Sequence, residues 1–197
     1  MYTLLIVDPQ YDFIEDGKLP VKGGKEALDN VAKFINNHAS EISDIIVTKD
    51  WHKADHCSFK AFGGKFPEHC IAESFGAKVY IPIQDAIRNN NIYVDYLHKG
   101  YNKEAFTAFR RIYHNYNNAI SYEIQNAEQN DKSQGWTFSK HDNIVICGLA
   151  GDICVLNTMK ILKDLNLTVY KEGIASLDGG ETLDEYCKNN NIKYYDD

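Results

Sequence analysis

Short apolar runs recur along the chain, and between them apolar residues fall at helical spacing. Residues 4–7, 44–48, 144–147 and 167–170 carry such runs, rich in Ile, Val and Leu. They suit strands buried on both faces and are too short for helices. Residues 92–97 read as a further strand despite Asp95, and 192–195 as an edge strand. Helical spacing marks 25–38, where Leu28, Val31 and Ile35 share a face, and the stretch after Gly151, where Val155, Met159 and Leu162 do. Shorter helices are predicted at 85–89, 105–113 and 182–188, and Pro82 breaks the apolar stretch 77–83. Strands alternating with helices imply a three-layer α/β/α fold with a mostly parallel central sheet, a single domain over residues 1–197. Residues 114–142 break the pattern, being rich in Asn, Gln and Ser with little apolar periodicity. They are predicted to form a polar surface insertion with a short helix at 122–128.

Composition narrows the class. The formal charge of −7 comes without a basic stripe, which argues against a nucleic-acid partner. No window is apolar for long enough to span a bilayer, and no basic n-region or signal-like apolar region opens the chain. The five cysteines, at 57, 70, 147, 154 and 187, are an odd and scattered set. That is no disulfide framework, so a reducing, cytoplasmic setting is expected. A monomer and a homo-oligomer both stay open.

A parallel sheet brings the carboxyl ends of its strands to one edge, where open α/β folds place their chemistry. Asp8, Asp50, Lys99 and Cys154 each fall just after a predicted strand. Separately, each has an ordinary explanation: an acid capping a loop, a solvated lysine, a small buried thiol. Cys147, inside a strand, takes that last reading. Cys154 follows the permissive turn Gly148–Gly151 and stands where a helix is predicted to begin, so a lowered thiol pKa is expected there. Asp50 and His52 alternate after a strand, which puts both on one side of an extended chain, with His56 and His69 following. Clustered oxygen and imidazole donors suit a divalent ion such as zinc, iron or manganese; the competing reading is a solvated polar loop.

The stretches VDPQYDF, DGKLPVKGG, DWHKADHCSF, FPEHC, KGYNKEAF and GLAGDICV, in this order, resemble the isochorismatase-like cysteine hydrolases, most closely their nicotinamidase (pyrazinamidase) branch. The resemblance covers nearly the whole chain apart from 114–142. It implies a catalytic triad of Asp8, Lys99 and Cys154, with the backbone N–H groups of Ala150 and Cys154 receiving an oxyanion. It implies metal ligands at Asp50, His52 and His69, with His56 at a position that ligates in some members only. Phe13 and Leu19 match residues that wall the ring pocket. The family often carries Trp where this chain has Phe66, and Thr where it has Gly151. A cis peptide is implied between Leu149 and Ala150. The implied activity is hydrolysis of nicotinamide to nicotinic acid and ammonia through a thioester, a step of NAD salvage, with one divalent ion, zinc first, holding the pyridine nitrogen. Two rivals remain. A related amidase acting on a carbamoyl or ureido substrate usually lacks the metal set. A non-catalytic hydrolase-like protein would not need Cys154.

Overall fold

A computed structural model describes residues 1–113, 120–124, 136–138 and 142–196. Its strands, in chain order, are β1 (Tyr2–Val7), β2 (Ile42–Asp50), β3 (Val94–Lys99), β4 (Phe109–Tyr113), β5 (Ile120–Ile124), β6 (Trp136–Phe138), β7 (Asn143–Leu149), β8 (Asn166–Ala175) and β9 (Lys193–Tyr194). The helices are α1 (Gly24–His38), α2 (Ile81–Asn89), α3 (Leu156–Ile161) and α4 (Glu181–Asn189). Six strands form one sheet in the order β3-β2-β1-β7-β8-β9, and every pairing in it is parallel.

The apolar runs explain the layers. Successive strand residues face opposite sides, and both sides of these strands are buried. Leu4, Ile6, Ile45, Val47, Val145 and Cys147 pack with Leu28, Val31 and Ile35 of α1 and with Ile83 and Ile87 of α2. Their neighbours Leu5, Val7, Ile46, Ile144 and Ile146 pack with Leu156 and Met159 of α3 and with Leu183 and Cys187 of α4. Each fully buried Leu or Ile contributes roughly 1.5–3 kcal/mol, so the central strands β1, β2 and β7 anchor the sheet. Among the described residues no helix is long and apolar enough to cross a membrane.

The strand order sets the position of the site. The chain runs outward from β1 to β2 and β3, then crosses back to build the other half from β7. The carboxyl ends of β1 and β7 are therefore the switch point, where a crevice opens in sheets of this kind. Asp8 follows β1, and the turn carrying Cys154 follows β7.

Several local expectations need correction. Residues 105–113 contain no helix; Phe109–Tyr113 is β4, paired antiparallel with β5, which in turn pairs with β6. The expected helix at 122–128 begins inside β5, and its remainder lies outside the described residues. The stretch 114–142 is not all surface either: Phe138 is buried, 6.1 Å from the Phe109 ring, and joins the α3-side core. Pro82 starts a helix rather than breaking one, because α2 spans Ile81–Asn89 with proline in its first turn, where the missing N–H costs nothing. β3 lies two residues later than expected, so Lys99 belongs to the strand itself.

Candidate active site

Asp8 follows β1 in a left-handed conformation with φ of 47°, which Asp tolerates better than most residues. Its N–H donates to the Thr48 carbonyl at 3.1 Å. The Thr48 hydroxyl returns a hydrogen bond to Asp8 Oδ1 at 2.7 Å. Thr48 is polar within a buried strand, and such a hydroxyl needs a partner; fixing Asp8 is the use it finds. Lys99 reaches the same place from β3. In strand register it sits beside Asp50, and its side chain is almost wholly buried.

The ammonium of Lys99 joins the cluster. Nζ lies 2.9 Å from Asp8 Oδ2, donates to Asp50 Oδ1 and to the Ala105 carbonyl at 3.3 Å, and stands 3.6 Å from Cys154 Sγ. Four acceptors thus surround three protons. The contact to sulfur is the longest, and it is the one a developing thiolate would strengthen.

Cys154 is held by a π-helical turn, Gly151–Val155, between β7 and α3. The Ala150 carbonyl accepts from the N–H groups of Ile153 and Val155, both at 3.1 Å. The Leu149–Ala150 peptide is cis, as the resemblance implies. Gly148 just before it has φ of 117°, and a Cβ there would stand 2.1 Å from the Val7 carbonyl oxygen. Glycine is what lets β7 end flush against β1.

The electrostatics correct one expectation. Burial pushes the Cys154 thiol well above its ordinary value; Lys99 opposes this and the Asp8 and Asp50 carboxylates add to it. A helix N-terminus was expected to lower it, but six-residue α3 begins only after Cys154. Burial likewise raises Asp8, against the pull of Lys99. For Asp50 burial also presses upward, yet Lys99, His52 and His69 outweigh it and hold the carboxyl low. Lys99 feels burial as a downward pressure that Asp50 and Asp8 overcome, so it stays charged. A protonated thiol beside a carboxylate is an arrangement ready for base-assisted attack.

The second half of the site hangs from the last residue of β2 and the loop after it. Asp50, His52 and His69 bring one ligand atom each within 4.8 Å of one another, and all three are buried. His52 Nδ1 donates to the Gly100 carbonyl at 2.6 Å, and His69 Nδ1 to the Pro67 carbonyl at 2.8 Å. A carbonyl can only accept, so in the neutral rings both protons sit on Nδ1 and both Nε2 lone pairs are free. Those Nε2 atoms lie 3.5 and 3.8 Å from Asp50 Oδ2. Two carboxylates against one ammonium also leave surplus negative charge in a buried place. These residues fit a divalent cation. Asp8, Asp50 and Cys154 come equally close, but Lys99 already serves as their cation. His56 stacks on His52 with ring centroids 4.3 Å apart, its Nδ1 2.7 Å from the Ser58 hydroxyl. Its buried Nε2 has no hydrogen-bond partner among the described residues.

A narrow cavity of about 50 Å³ opens onto Cys154, lined by Phe13, Leu19, Phe66, Asp50 and His69 among others. All three aromatic-pocket residues singled out from the sequence line it. So do Phe106, Ile153 and Leu177, which sequence reasoning missed. A larger hollow of about 430 Å³ lies beyond His69, lined by Tyr11, Glu15, Asp16 and Glu68; Asp8, Lys99 and Cys154 do not line it. Gln10 was also missed. Its amide donates to the carbonyls of Asp50 at 2.8 Å and Ala77 at 2.9 Å, and its oxygen accepts the Asp50 N–H at 2.7 Å. It therefore fixes the backbone that presents Asp50. Its position inside VDPQYDF was the available signal.

The chain is similar to known proteins. The Isochorismatase domain model matches residues 2–185. A nicotinamidase of Saccharomyces cerevisiae is 25% identical over 185 residues, covering 80% of this chain and 79% of that protein. Among solved structures, a pyrazinamidase of Pyrococcus horikoshii in complex with zinc has a TM-score of 0.72 at 23% identity, over 100% of this chain and 99% of that one. A structure from L. infantum in complex with nicotinate has a TM-score of 0.71 at 23% identity, over 99% and 92%.

Proposed function

The chain belongs to the isochorismatase-domain family, and from that premise we propose that it is a cysteine amidohydrolase converting nicotinamide to nicotinic acid and ammonia. The reading takes residues 1–197 as one hydrolase domain. One observation carries it: Lys99 Nζ lies within reach of Asp8, Asp50 and Cys154 together, joining nucleophile, base and ligand set. The S. cerevisiae relative and the nicotinate-bound neighbour support the choice of substrate.

Asp8 takes the thiol proton as Cys154 Sγ attacks the carboxamide carbon. The carbonyl oxygen becomes an oxyanion facing the N–H groups of Ala150 and Cys154, each such donor worth about 3 kcal/mol. Asp8 returns the proton to the nitrogen, the C–N bond breaks and ammonia leaves behind a thioester. Water then attacks that thioester with Asp8 again as base. The C–S bond breaks, nicotinic acid departs and the sulfur recovers its proton. Lys99 stays charged throughout and offsets the anion on whichever of Asp8 and Cys154 carries it.

Asp50, His52 and His69 would hold the divalent ion. When bound, it supplies a Lewis-acidic point for the pyridine nitrogen and so a template for the ring. Zinc is the ion we assign, supported by the nitrogen and oxygen donors and by the zinc-bound P. horikoshii neighbour. Five free cysteines support a reducing, cytoplasmic setting.

The test is formation of ammonia and nicotinate from nicotinamide by the purified protein, with Cys154→Ala as the blank. Ammonia from an N-carbamoyl amine but none from nicotinamide would overturn the substrate assignment and leave the cysteine chemistry standing.

A further inference from the structure

A large apolar side chain stands at the mouth of the reaction cavity with half its surface in water. Leu177 is 50% exposed, yet it lines the same cavity as Cys154, Phe66 and Phe106. It belongs to residues 176–180, the connection between β8 and α4.

Two contacts pin this connection to the nucleophile turn. The Leu177 N–H donates to Asp152 Oδ1 at 2.9 Å. Gly151 admits Ser176: a Cβ at Gly151 would stand 2.2 Å from Ser176 Oγ and 2.7 Å from Ile174 Cγ2. Beyond Leu177 the connection turns through Gly179 and Gly180, with φ of 79° and 99°, into α4. The α4 end is held as well, by Asp178, whose Oδ1 accepts the Gly180 N–H at 2.8 Å and whose Oδ2 accepts the Thr182 N–H at 2.9 Å, so the segment nearest the cavity hangs between two side-chain anchors. The hydrolytic steps use neither Asp152 nor Leu177.

We propose that Leu177 is a specificity-determining wall of the ring pocket and that Asp152 is its positioning residue. The proposal rests on the reading of Cys154 as a nucleophile facing an aromatic carboxamide. A flat ring entering the cavity would cover Leu177 from solvent, and burying that apolar surface favours binding. Other walls, such as Ala150 and Asp50, come from the turn after β7 and the end of β2. Leu177 stands on a short connection, and its own N–H is tied to the turn through the Asp152 carboxylate. The width offered to a substituted ring follows from that anchor.

The experiment compares wild type, Leu177→Ala, Asp152→Ala and Asp152→Asn. Nicotinamide and its 5- and 6-methyl derivatives give kcat and KM. Independently of turnover, Cys154 is alkylated with iodoacetamide and with N-benzyl iodoacetamide, followed at the Cys154 peptide because exposed Cys57 also reacts. Leu177→Ala is expected to raise KM for nicotinamide about tenfold with kcat nearly unchanged. It should also raise the methylated-to-parent preference and the benzyl-to-parent alkylation ratio by about the same factor. Asp152→Ala should move the same readouts in the same direction. Asp152→Asn should restore them, because its amide oxygen still accepts from Leu177. Unmoved ratios in Leu177→Ala overturn the wall; Asn and Ala behaving alike at 152 overturn the positioning role. If wild type leaves nicotinamide untouched while Leu177→Ala still shifts the alkylation ratio, the wall stands and the substrate reading falls.

Discussion

The site has two halves built in different ways. Asp8 and Lys99 hang from strand ends, and Cys154 from the turn directly after β7, so the sheet's geometry sets their spacing. His52 and His69 come from a loop, and backbone carbonyls at Gly100 and Pro67 aim their rings. The reacting half has its own cation, Lys99, which serves Asp8 and Cys154 and also reaches across to Asp50 of the other half. The binding half carries aligned lone pairs and surplus negative charge, and is completed only by a cation. The difference separates chemistry from orientation: damage to one half should stop turnover for any amide, and damage to the other should matter only for rings that can bind a metal.

The sharpest break is Cys154→Ala. We expect kcat to fall on the order of 10⁴-fold or more for every amide, with bound metal by elemental analysis unchanged; residual turnover near wild type would end the thioester mechanism. Cys147, buried in β7 with its thiol 3.9 Å from the Leu5 carbonyl, should tolerate alanine within a few-fold. Next comes Asp8→Asn, which keeps the tolerated left-handed backbone but removes the base, for a loss on the order of 10³-fold. The same variant has a second signature. The Asp8 charge raises the Cys154 thiol, so removing it should move the alkylation midpoint to lower pH even as turnover collapses. A midpoint that stays or rises would mean Asp8 does not face the sulfur.

Metal removal tests the other half. Chelation, or His52→Ala, should cost nicotinamide on the order of a hundredfold in kcat/KM. Benzamide, with the same carboxamide but no ring nitrogen, should change little. Equal losses for both would make the ion structural. Lys99→Ala tests the coupling between the halves through the resting thiol. Lys99 lowers the thiol pKa against burial, so its removal should shift the alkylation midpoint upward, opposite in sign to Asp8→Asn. An unchanged profile would show that the 3.6 Å contact carries no electrostatic coupling.

Much of this was legible in the sequence, for a physical reason. Strands such as β1 and β7 are buried on both faces, so their apolar runs are continuous and announce themselves, and their ends then mark where the chemistry gathers. Residues 105–113 misled because Phe106, Phe109 and Ile112 recur every third position like a helix face. Pairing of Phe109–Tyr113 with β5 overrides that local signal. The apolar run of β8 ends at Tyr170, but the strand runs on to Ala175 through the exposed pair Lys171 and Glu172. The thiol was misjudged because desolvation is a property of the assembled core and leaves no mark on local sequence. Thr48 was within reach: a hydroxyl in a buried run has to bond to something. Leu177 was not, since only the folded chain brings the segment after β8 over the turn after β7.

Lys99 sits on β3, at one margin of the six-stranded sheet. Marginal strands have one neighbour and open at lower free energy than central ones. The residue that ties both halves together is thus carried by a part of the sheet expected to fray first. Warming should extinguish catalysis before it melts the molecule, and amide hydrogens of β3 should exchange well ahead of those in β1. Durability of the enzyme is then governed by the grip of β2 on β3, and substitutions that tighten that single ladder, far from the sulfur, should lengthen its working life.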